Sequence, residues 1–354
     1  MDRATRQRLR SHLALVSPGT DLRDGLDRIV TGRTGALIVL GRTDAVDRLV
    51  TGGFRVDVPL TATALRELAK LDGAILLDSD LRRIIHAGAH LMPDADTPTT
   101  ETGTRHRTAD RVARQTGVPV VTVSASMSSI ALFLDGYRHP LPRPEHLLSR
   151  ADQALATLSR YRERLTEAAS RLTSLEVQDA VTVEDVAVVA RRIELCRRLS
   201  EEIADILVEL GTDGRLVELQ QQELLAGVAE TAESLARDYG TGDSRLQLDS
   251  LDELGTDDLL DAALVARRIQ LVPGTLDARL PARGYRQLAQ IGRLPAGMAE
   301  RLVQHFGSLQ SLLGATTSDL MSVEGVDYGV VRLIRDGLAR LTASSYSERL
   351  DLSG

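Results

Sequence analysis

The spacing of apolar residues changes along this 354-residue chain and divides it into parts of different fold class. Up to about residue 140, short apolar runs such as "GALIVLG" (35–41) alternate with amphipathic stretches such as "DLRDGLDRIV" (21–30). The runs are typical of buried strands, and apolar residues three and four apart indicate helices. Residues 1–140 are therefore predicted to form an α/β domain, in which helices cover a mixed sheet.

The elements of this first domain can be assigned from their patterns. Strands are predicted at 35–41, 74–78, 83–88, 118–124 and 130–136. Helices are predicted at 21–30, 61–73 and 108–117, the last two ending at Gly73 and Gly117 because glycine commonly terminates a helix.

The rest of the chain is predicted to be all α. Apolar residues recur at helical spacing, among them Leu148, Ala151, Leu155, Leu158, Leu165 and Leu172. Long helices are therefore expected to form a spine over 141–280. A Pro- and Gly-rich segment, 272–285, is predicted to link this spine to a third domain, 281–354.

Composition excludes several classes of protein. No apolar run approaches the roughly 20 residues of a membrane helix. The charged N-terminal stretch lacks the apolar core of a signal peptide. Cys196 is the only cysteine, so an intrachain disulfide and a cysteine-based zinc site are excluded. We expect a cytoplasmic protein with no membrane partner.

Charge is unevenly distributed among the three parts. Residues 141–280 carry 16 Lys and Arg against 27 Asp and Glu, whereas 281–341 carry 7 against 5. The acidic spine argues against nucleic acid in the middle of the chain, and the C-terminal part permits it.

The segment "ETGTRHRTADR" (101–111) concentrates groups that favour phosphate. Arg105 and Arg107 offer planar guanidiniums, and Thr104 and Thr108 offer hydroxyl donors. Gly103 frees the backbone, and a helix predicted from about Thr108 offers its positive N-terminus. The alternative is a solvated turn in which the arginines pair with Glu101 and Asp110.

A second candidate lies about 30 residues earlier, where a predicted helix stops and a strand begins. Asp72 can bind a hard divalent cation through oxygen, and Gly73 allows close approach of the backbone to a ligand. Asp-Gly-Ala is also common turn chemistry, so Asp72, Gly73 and Ala74 could be purely structural.

Two C-terminal segments, 294–307 and 320–338, repeat one plan: an apolar residue, a glycine-containing hairpin and an amphipathic helix. Such units bind DNA backbone through helix N-termini without reading bases. The candidate DNA-binding residues are Arg293, Gly297, Gly325, Val326, Arg332, Arg335 and Arg340. Asp327 would oppose a phosphate, so a role in protein packing is the alternative.

Together these motifs resemble a known family. "LAKLDGAILLD" (68–78), "HLMPD" (90–94) and "TETGTRHRTADRVARQTG" (100–117) are similar to the diadenylate cyclase domain. The helical spine, "LPARGY" (280–285), "IGRLP" and "VEGV" (323–326) resemble the DNA-integrity scanning branch of that family, so the resemblance covers nearly the whole chain.

The resemblance implies a reaction and an assembly. Two ATP would condense to cyclic di-AMP and two pyrophosphates, with Mg²⁺ or Mn²⁺ as cofactor. The domains of two subunits would meet face to face, and the spine would organise the dimers into an octamer. Double-stranded and branched DNA, bound without base specificity, would modulate activity from the C-terminal helix-hairpin-helix domain.

The resemblance also assigns residues. Asp72 would bind the metal, Gly73 and Ala74 would approach the nucleotide through backbone, and Leu91 would line the adenine site. Thr104, Arg105, His106, Arg107 and Thr108 would hold phosphates, with Asp72, Arg105, His106 and Arg107 as the catalytic set. Ser124 would also face the nucleotide.

Two other functions remain open at this point. One is a non-catalytic DNA-binding scaffold that senses a nucleotide. The other is a nucleotidyltransferase that modifies a protein or RNA. "SASMSS" (124–129) also lacks the basic pair that often follows the serine in this family.

Overall fold

A computed structural model of the chain describes residues 3–240, 244–271 and 275–351. Residues 272–274 of the predicted linker lie outside this description. The chain divides into two compact units, one of residues 1–153 and 202–219, the other of 154–201 and 220–354. The domain limits proposed from sequence, at 140 and 280, stay a prediction.

The first unit contains the sheet and its covering helices. Its elements, in chain order up to residue 141, are α1 (Arg3–Leu15), α2 (Asp21–Thr31), β1 (Ala36–Val39), α3 (Asp44–Asp47), β2 (Val50–Thr51), β3 (Phe54–Pro59), α4 (Ala62–Leu68), β4 (Ala74–Leu77), β5 (Arg83–Leu91), α5 (Thr104–Thr116), β6 (Val120–Ser124), β7 (Ser129–Leu134) and β8 (Tyr137–Leu141).

The eight strands form one mixed sheet in the order β2-β5-β4-β1-β6-β7-β8, with β3 also paired to β5. β1 and β4 run parallel, and β1 pairs antiparallel with β6. The predicted fold class, a mixed sheet with helical cover followed by helices, is confirmed.

Alternation along the strands divides the core between the two faces of the sheet. Ile38, Ile75 and Val121 face a cluster that includes residues of α1, α2 and α4. Val39, Leu76 and Val120 face the opposite cluster, which includes Ala109, Val112 and Ala113 of α5. The α5 helix is thus fixed by burial of its alanine and valine side, which leaves its N-terminus at one end of the sheet.

Two boundaries differ from the sequence prediction. α5 begins at Thr104, one turn before the predicted start at Thr108, and α4 ends at Leu68 rather than near Gly73. The sequence pattern places Arg105 to Arg107 before the helix, but burial of the apolar residues that follow extends the helix through them. The segments α1, α3, β2, β3 and β8 were not predicted.

The described chain after β8 is mostly helical, with short 3-10 turns and irregular segments between its α-helices. These are α6 (Pro144–Val177), α7 (Val183–Leu210), α8 (Arg215–Leu225), α9 (Val228–Asp238), α10 (Ala262–Arg268), α11 (Tyr285–Ala289), α12 (Met298–Phe306), α13 (Leu309–Leu313), α14 (Thr317–Met321) and α15 (Tyr328–Asp351). The C-terminal helices share a core of Leu288, Met298, Leu302, Leu320 and Ile334, with further apolar side chains around it. No helix of the described residues is long and apolar enough to cross a membrane.

Candidate functional site

The candidate nucleotide-site residues gather at one end of the sheet because of its strand register. In the parallel pair, Ile38 of β1 lies opposite Ile75 of β4, which brings Asp72, three residues earlier, to the entry of β1. Ala36 of β1 pairs with Val123, so Ser124 at the end of β6 reaches the same end. Two motifs far apart in sequence therefore share one site.

The N-terminus of α5 supplies the phosphate-favouring part of this site. Its N-cap, Gly103, has extended backbone (φ −78°, ψ 139°) and makes no side-chain capping hydrogen bond. The first helical bond joins Arg107 N–H to the Gly103 carbonyl at 2.8 Å. Within the described part of the chain, the N–H groups of Thr104, Arg105 and His106 have no acceptor, which makes this terminus a site for an anion.

The two arginines of this turn are not neutralised by the nearby carboxylates. Glu101 pairs with Arg138 (3.4 Å), and Asp110 pairs with Arg114 (2.9 Å). Arg107 donates through Nε to the Glu101 carbonyl oxygen at 3.4 Å. Arg105 is exposed and has no hydrogen bond or ion pair with any described residue. Arg105 and Arg107 therefore do not form the salt-bridged turn with Glu101 and Asp110 that the sequence left as an alternative.

His106 differs from the arginines on either side of it. Its ring lies 6.0 Å from the ring of Phe133 in the sheet, centroid to centroid. Burial lowers the pKa of His106 below its usual value, and the positive charges of Arg138 and Arg105 act in the same direction. The imidazole is thus neutral at pH 7 and packs toward the sheet.

The three hydroxyls of the candidate site are not equivalent. Thr108 Oγ1 donates to the Thr104 carbonyl at 3.0 Å, so its proton is engaged within the helix. Ser124 Oγ accepts from Met127 N–H at 3.3 Å and lies 3.3 Å from Ser126 Oγ, which orders the β6–β7 turn. Thr104 is exposed at the first position of α5.

The Asp72-Gly73-Ala74 segment is exposed at its first residue and buried at its last. Asp72 Oδ1 accepts from Gly73 N–H at 3.0 Å, and the second carboxylate oxygen has no partner among the described residues. Gly73 has φ 111°, and an added Cβ would lie 2.7 Å from the Gly88 carbonyl carbon. Glycine is therefore required there to bring Asp72 against β5.

The other two candidates of this site are apolar. Ala74 is 1% exposed and pairs with Ala89 of β5. Leu91, two residues beyond Ala89, is partly buried at the same end of the sheet. Both can shape a nucleotide site, Ala74 through its backbone and Leu91 through its side chain.

A divalent cation would have one protein carboxylate at this site. The described residues contain no group of three or more His, Cys, Asp or Glu arranged to hold a metal. Mg²⁺ commonly binds through one or two carboxylates together with substrate phosphates and waters. The exposed Asp72 carboxylate fits a cation held jointly with a nucleotide.

In both C-terminal segments a glycine-containing turn joins two helices, but the N-termini of the second helices differ. The first connects α11 to α12, whose N-cap Gly297 (φ 72°) makes no side-chain capping bond. The second connects α14 to α15 through Gly325 (φ 81°) and Asp327. Asp327 Oδ1 accepts from Val330 N–H at 2.8 Å, so a carboxylate caps the second helix.

One arginine that was not identified from the sequence lies between these hairpins. An added Cβ at Gly297 would be 3.5 Å from one Arg301 terminal nitrogen, and one at Gly325 would be 3.4 Å from the other. The buried Nε of Arg301 has no partner among the described residues. Nothing in the sequence distinguishes Arg301 from other helix arginines, since the fold alone brings Gly325 to it.

The remaining DNA-binding candidates are spread over the same unit. Val326 is 8% exposed in the apolar core, and its N–H donates to the Val323 carbonyl, so it serves packing. Arg293 is exposed in the first hairpin with φ 66°. On α15, Arg332 lies 3.7 Å from Asp336, Arg335 donates to the Ala315 carbonyl at 3.3 Å, and Arg340 is exposed.

Comparison with protein families identifies the class of domain at this site. Residues 23–138 match the family described as DisA bacterial checkpoint controller nucleotide-binding, and residues 141–275 match the DisA bacterial checkpoint controller linker region. Strands β1 to β7, the α5 N-terminus and Asp72 all lie within the first match. The class is thus a nucleotide-binding domain joined to a helical linker.

Similarity to curated proteins extends over nearly the whole chain. The DNA integrity scanning protein DisA of Acidothermus cellulolyticus is 53% identical over 98% of this chain and 97% of the relative. The protein of the same name from Streptomyces coelicolor is 52% identical over 96% and 94%, and that from Parafrankia is 52% identical over 96% and 97%. The chain belongs to the DisA family and is a diadenylate cyclase. This identification favours the enzyme over both alternatives left open by sequence.

Proposed function

We propose that the enzyme condenses two ATP into cyclic di-AMP and two pyrophosphates across two subunits that face each other. The 3′-oxygen of each ATP would attack the α-phosphorus of the other, and the bond to the β-phosphate would break as pyrophosphate leaves. Each subunit would hold one ATP, so one site alone could not close the ring. The observation that carries the proposal is the meeting of the open α5 N-terminus, two arginines without ion pairs and Asp72 at one end of the sheet.

The surroundings of each residue suit it to a different role in the proposed reaction. Thr104 and the free N–H groups at the start of α5 would bind phosphate oxygens, and Arg105 and Arg107 would neutralise charge as pyrophosphate leaves. His106, packed toward Phe133, would anchor the turn. Catalysis by positioning and charge suits phosphoryl transfer.

Asp72 is proposed to orient the attacking hydroxyl and to hold Mg²⁺ or Mn²⁺ together with the nucleotide. The cation, when bound, would supply positive charge to the phosphates and acidify the hydroxyl. Asp72 is suited to this role because its carboxylate is exposed and one oxygen is fixed by Gly73 N–H.

Product analysis of the assembled protein tests the proposed reaction. Incubation with ATP and Mn²⁺ or Mg²⁺ should give cyclic di-AMP and pyrophosphate, identified by mass spectrometry. Asp72→Asn should abolish synthesis and leave the oligomer mass unchanged. Absence of cyclic di-AMP from the assembled wild-type protein, or normal turnover by Asp72→Asn, would contradict the proposal.

The C-terminal hairpins are proposed to bind the backbone of double-stranded and branched DNA without base specificity, and so to modulate synthesis. Support comes from the uncapped N-terminus at Gly297 and from the Arg301 guanidinium between both hairpin glycines. The capping carboxylate of Asp327 disfavours phosphate at the second hairpin. The first hairpin and Arg301 would therefore carry most of the affinity.

Salt-dependent binding measurements test the DNA proposal. The affinity of wild-type protein for a branched duplex should fall steeply with salt, since phosphate contacts release counterions. Arg301→Ala should weaken binding roughly tenfold, as expected for one lost charged hydrogen bond. Arg245→Ala is the matched control, because this arginine is not a DNA-binding candidate and pairs with Glu233 at 2.5 Å. Equal losses in the two variants would contradict the role of Arg301.

Assembly and location complete the proposal. An octamer is proposed on family grounds, and two exposed leucines one turn apart on α8, Leu216 (73%) and Leu219 (51%), suit packing against another helix. Light scattering would test the octamer. The cytoplasmic location and the choice between Mg²⁺ and Mn²⁺ stay predictions.

A further inference from the structure

Gly35 lies at the centre of the candidate site, although no motif contains it. It directly precedes β1, where the parallel register places it level with Asp72 and the antiparallel register places it level with Ser124. Because side chains alternate along a strand, position 35 faces the same side as Leu37 and Val39, which is the side covered by α5.

The Arg105 guanidinium occupies the space that a side chain at position 35 would fill. An added Cβ would lie 2.2 Å from one terminal nitrogen of Arg105, 2.7 Å from Cζ and 2.9 Å from the other terminal nitrogen. Real side-chain carbons do not approach other atoms this closely, so any residue except glycine would displace the guanidinium. Gly35 itself has no positive φ, and its backbone is one that alanine can adopt.

We propose that Gly35 is a positioning residue, which holds the Arg105 guanidinium between Asp72 and Ser124 by leaving it room against the start of β1. The inference rests on the proposed role of Arg105 in neutralising phosphate charge. Arg105 has no hydrogen bond or ion pair with any described residue, and its guanidinium lies against Gly35.

The same unit contains a second close glycine–arginine contact, which has a structural role and differs from the contact of Gly35 with Arg105. At Gly136 an added Cβ would lie 2.6 Å from Arg114. Arg114, however, is bound to the Asp110 carboxylate at 2.9 Å and to the Gly136 carbonyl at 3.0 Å. Arg114 is thus fixed by hydrogen-bonding partners, whereas Arg105 makes no hydrogen bond with a described residue and keeps all its donors available for a ligand.

Gly35→Ala is the direct test, measured as cyclic di-AMP synthesis by the assembled full chain. The clash is with the end of a flexible side chain, so the variant should fold and assemble normally. The expected result is a fall in kcat of about 10- to 100-fold, the usual cost of misplacing a charge-stabilising group by about 1 Å, with a smaller change in KM. Gly314→Ala is the matched control, because its added Cβ would meet only carbonyl oxygens at 3.5 and 3.9 Å; it should match wild type.

A double variant separates positioning from general structural damage. If Gly35 acts through Arg105, then Gly35→Ala should cause no further loss in an Arg105→Ala background. Equal fractional losses in both backgrounds, or wild-type kcat in Gly35→Ala, would overturn the proposal. An inactive wild-type protein would instead overturn the proposed reaction, which keeps the two failures distinct.

Discussion

The N-termini of α5 and α15 are built in opposite ways. At α5 the N-cap is Gly103, without a side-chain capping bond, and two arginines follow without carboxylate partners. At α15 Asp327 accepts from Val330 N–H, so a negative charge already occupies the positive end of that helix. The same backbone geometry is thus open to a phosphate in one place and closed to it in the other.

A third helix N-terminus is closed by a residue from another helix. Asp238, at the end of α9 and 1% exposed, accepts from the N–H groups of Gly284, Tyr285 and Arg286 at 2.7, 2.7 and 2.8 Å. The buried Glu176 binds Arg286 Nε at 2.9 Å beside it. At these three helix N-termini the capping residue therefore decides whether the free N–H groups are open to an anion or already bound within the protein.

The largest effect is expected when a carboxylate is placed at the N-terminus of α5. Gly103→Asp would place a carboxylate where the extended backbone of Gly103 already suits an N-cap. The carboxylate would take the free N–H groups and repel phosphate, so cyclic di-AMP synthesis should fall about 100-fold or more, as for the loss of an oxyanion donor. Synthesis rates and the thermal midpoint should be measured together, since the midpoint should stay equal or rise slightly.

Gly103→Ala is the control for this substitution. Its Cβ would lie 3.5 Å from His106 Nδ1, an ordinary contact, and it adds no charge. Activity near that of wild type in Gly103→Asp would show that the α5 terminus does not bind phosphate.

A smaller effect is expected when Asp238, which binds the N–H groups at the start of α11, loses its charge. Burial raises the pKa of Asp238 to about 7, and the neighbouring Glu176 carboxylate acts in the same direction, against the three N–H donors. Between pH 4 and 7 the folded state therefore keeps a proton that the unfolded state has lost. This group makes the protein less stable as pH rises through that window, and has no further effect above it.

Asp238→Asn removes this titration. The variant should have a lower free energy of unfolding than wild type, and this difference should become smaller between pH 5 and 7. For one proton, the difference changes by at most about 1.4 kcal/mol per pH unit. Urea unfolding of both proteins, followed by circular dichroism at several pH values, measures the difference. A difference that is constant from pH 5 to 8 would show that Asp238 is ionised throughout.

Local pattern was enough to predict the elements on which the candidate site stands. The runs of β1, β4 and β6 have one interpretation, since each is short, rich in aliphatic residues and bounded by glycine, proline or polar residues. The motifs at Asp72 and Arg105 were visible because several phosphate- or metal-binding features coincide within a few residues. Their meeting in space depends on strand order, which the sequence patterns do not specify.

The features that escaped prediction depend on long-range contacts. The start of α5 was placed one turn late because polar residues near a glycine resemble a loop, whereas packing of Ala109 and Val112 extends the helix. Val326, a DNA-binding candidate from the sequence, is 8% exposed and packs in the C-terminal core. Arg301 and Gly35 acquire their importance from partners at Gly325 and Arg105, 24 and 70 residues away along the chain.

The smallest effect is expected when the α15 terminus loses its charge but keeps its cap. Asp327→Asn preserves an acceptor for Val330 N–H, because asparagine is as good an N-cap as aspartate, so stability should hardly change. Removing one negative charge from a helix N-terminus favours an anion there by about 0.3–1 kcal/mol. DNA affinity should therefore rise about two- to fivefold at low salt, with the gain fading as salt increases. Fluorescence anisotropy with a labelled duplex at two salt concentrations measures this gain, and an unchanged affinity at low salt would mean that phosphate does not approach the second hairpin.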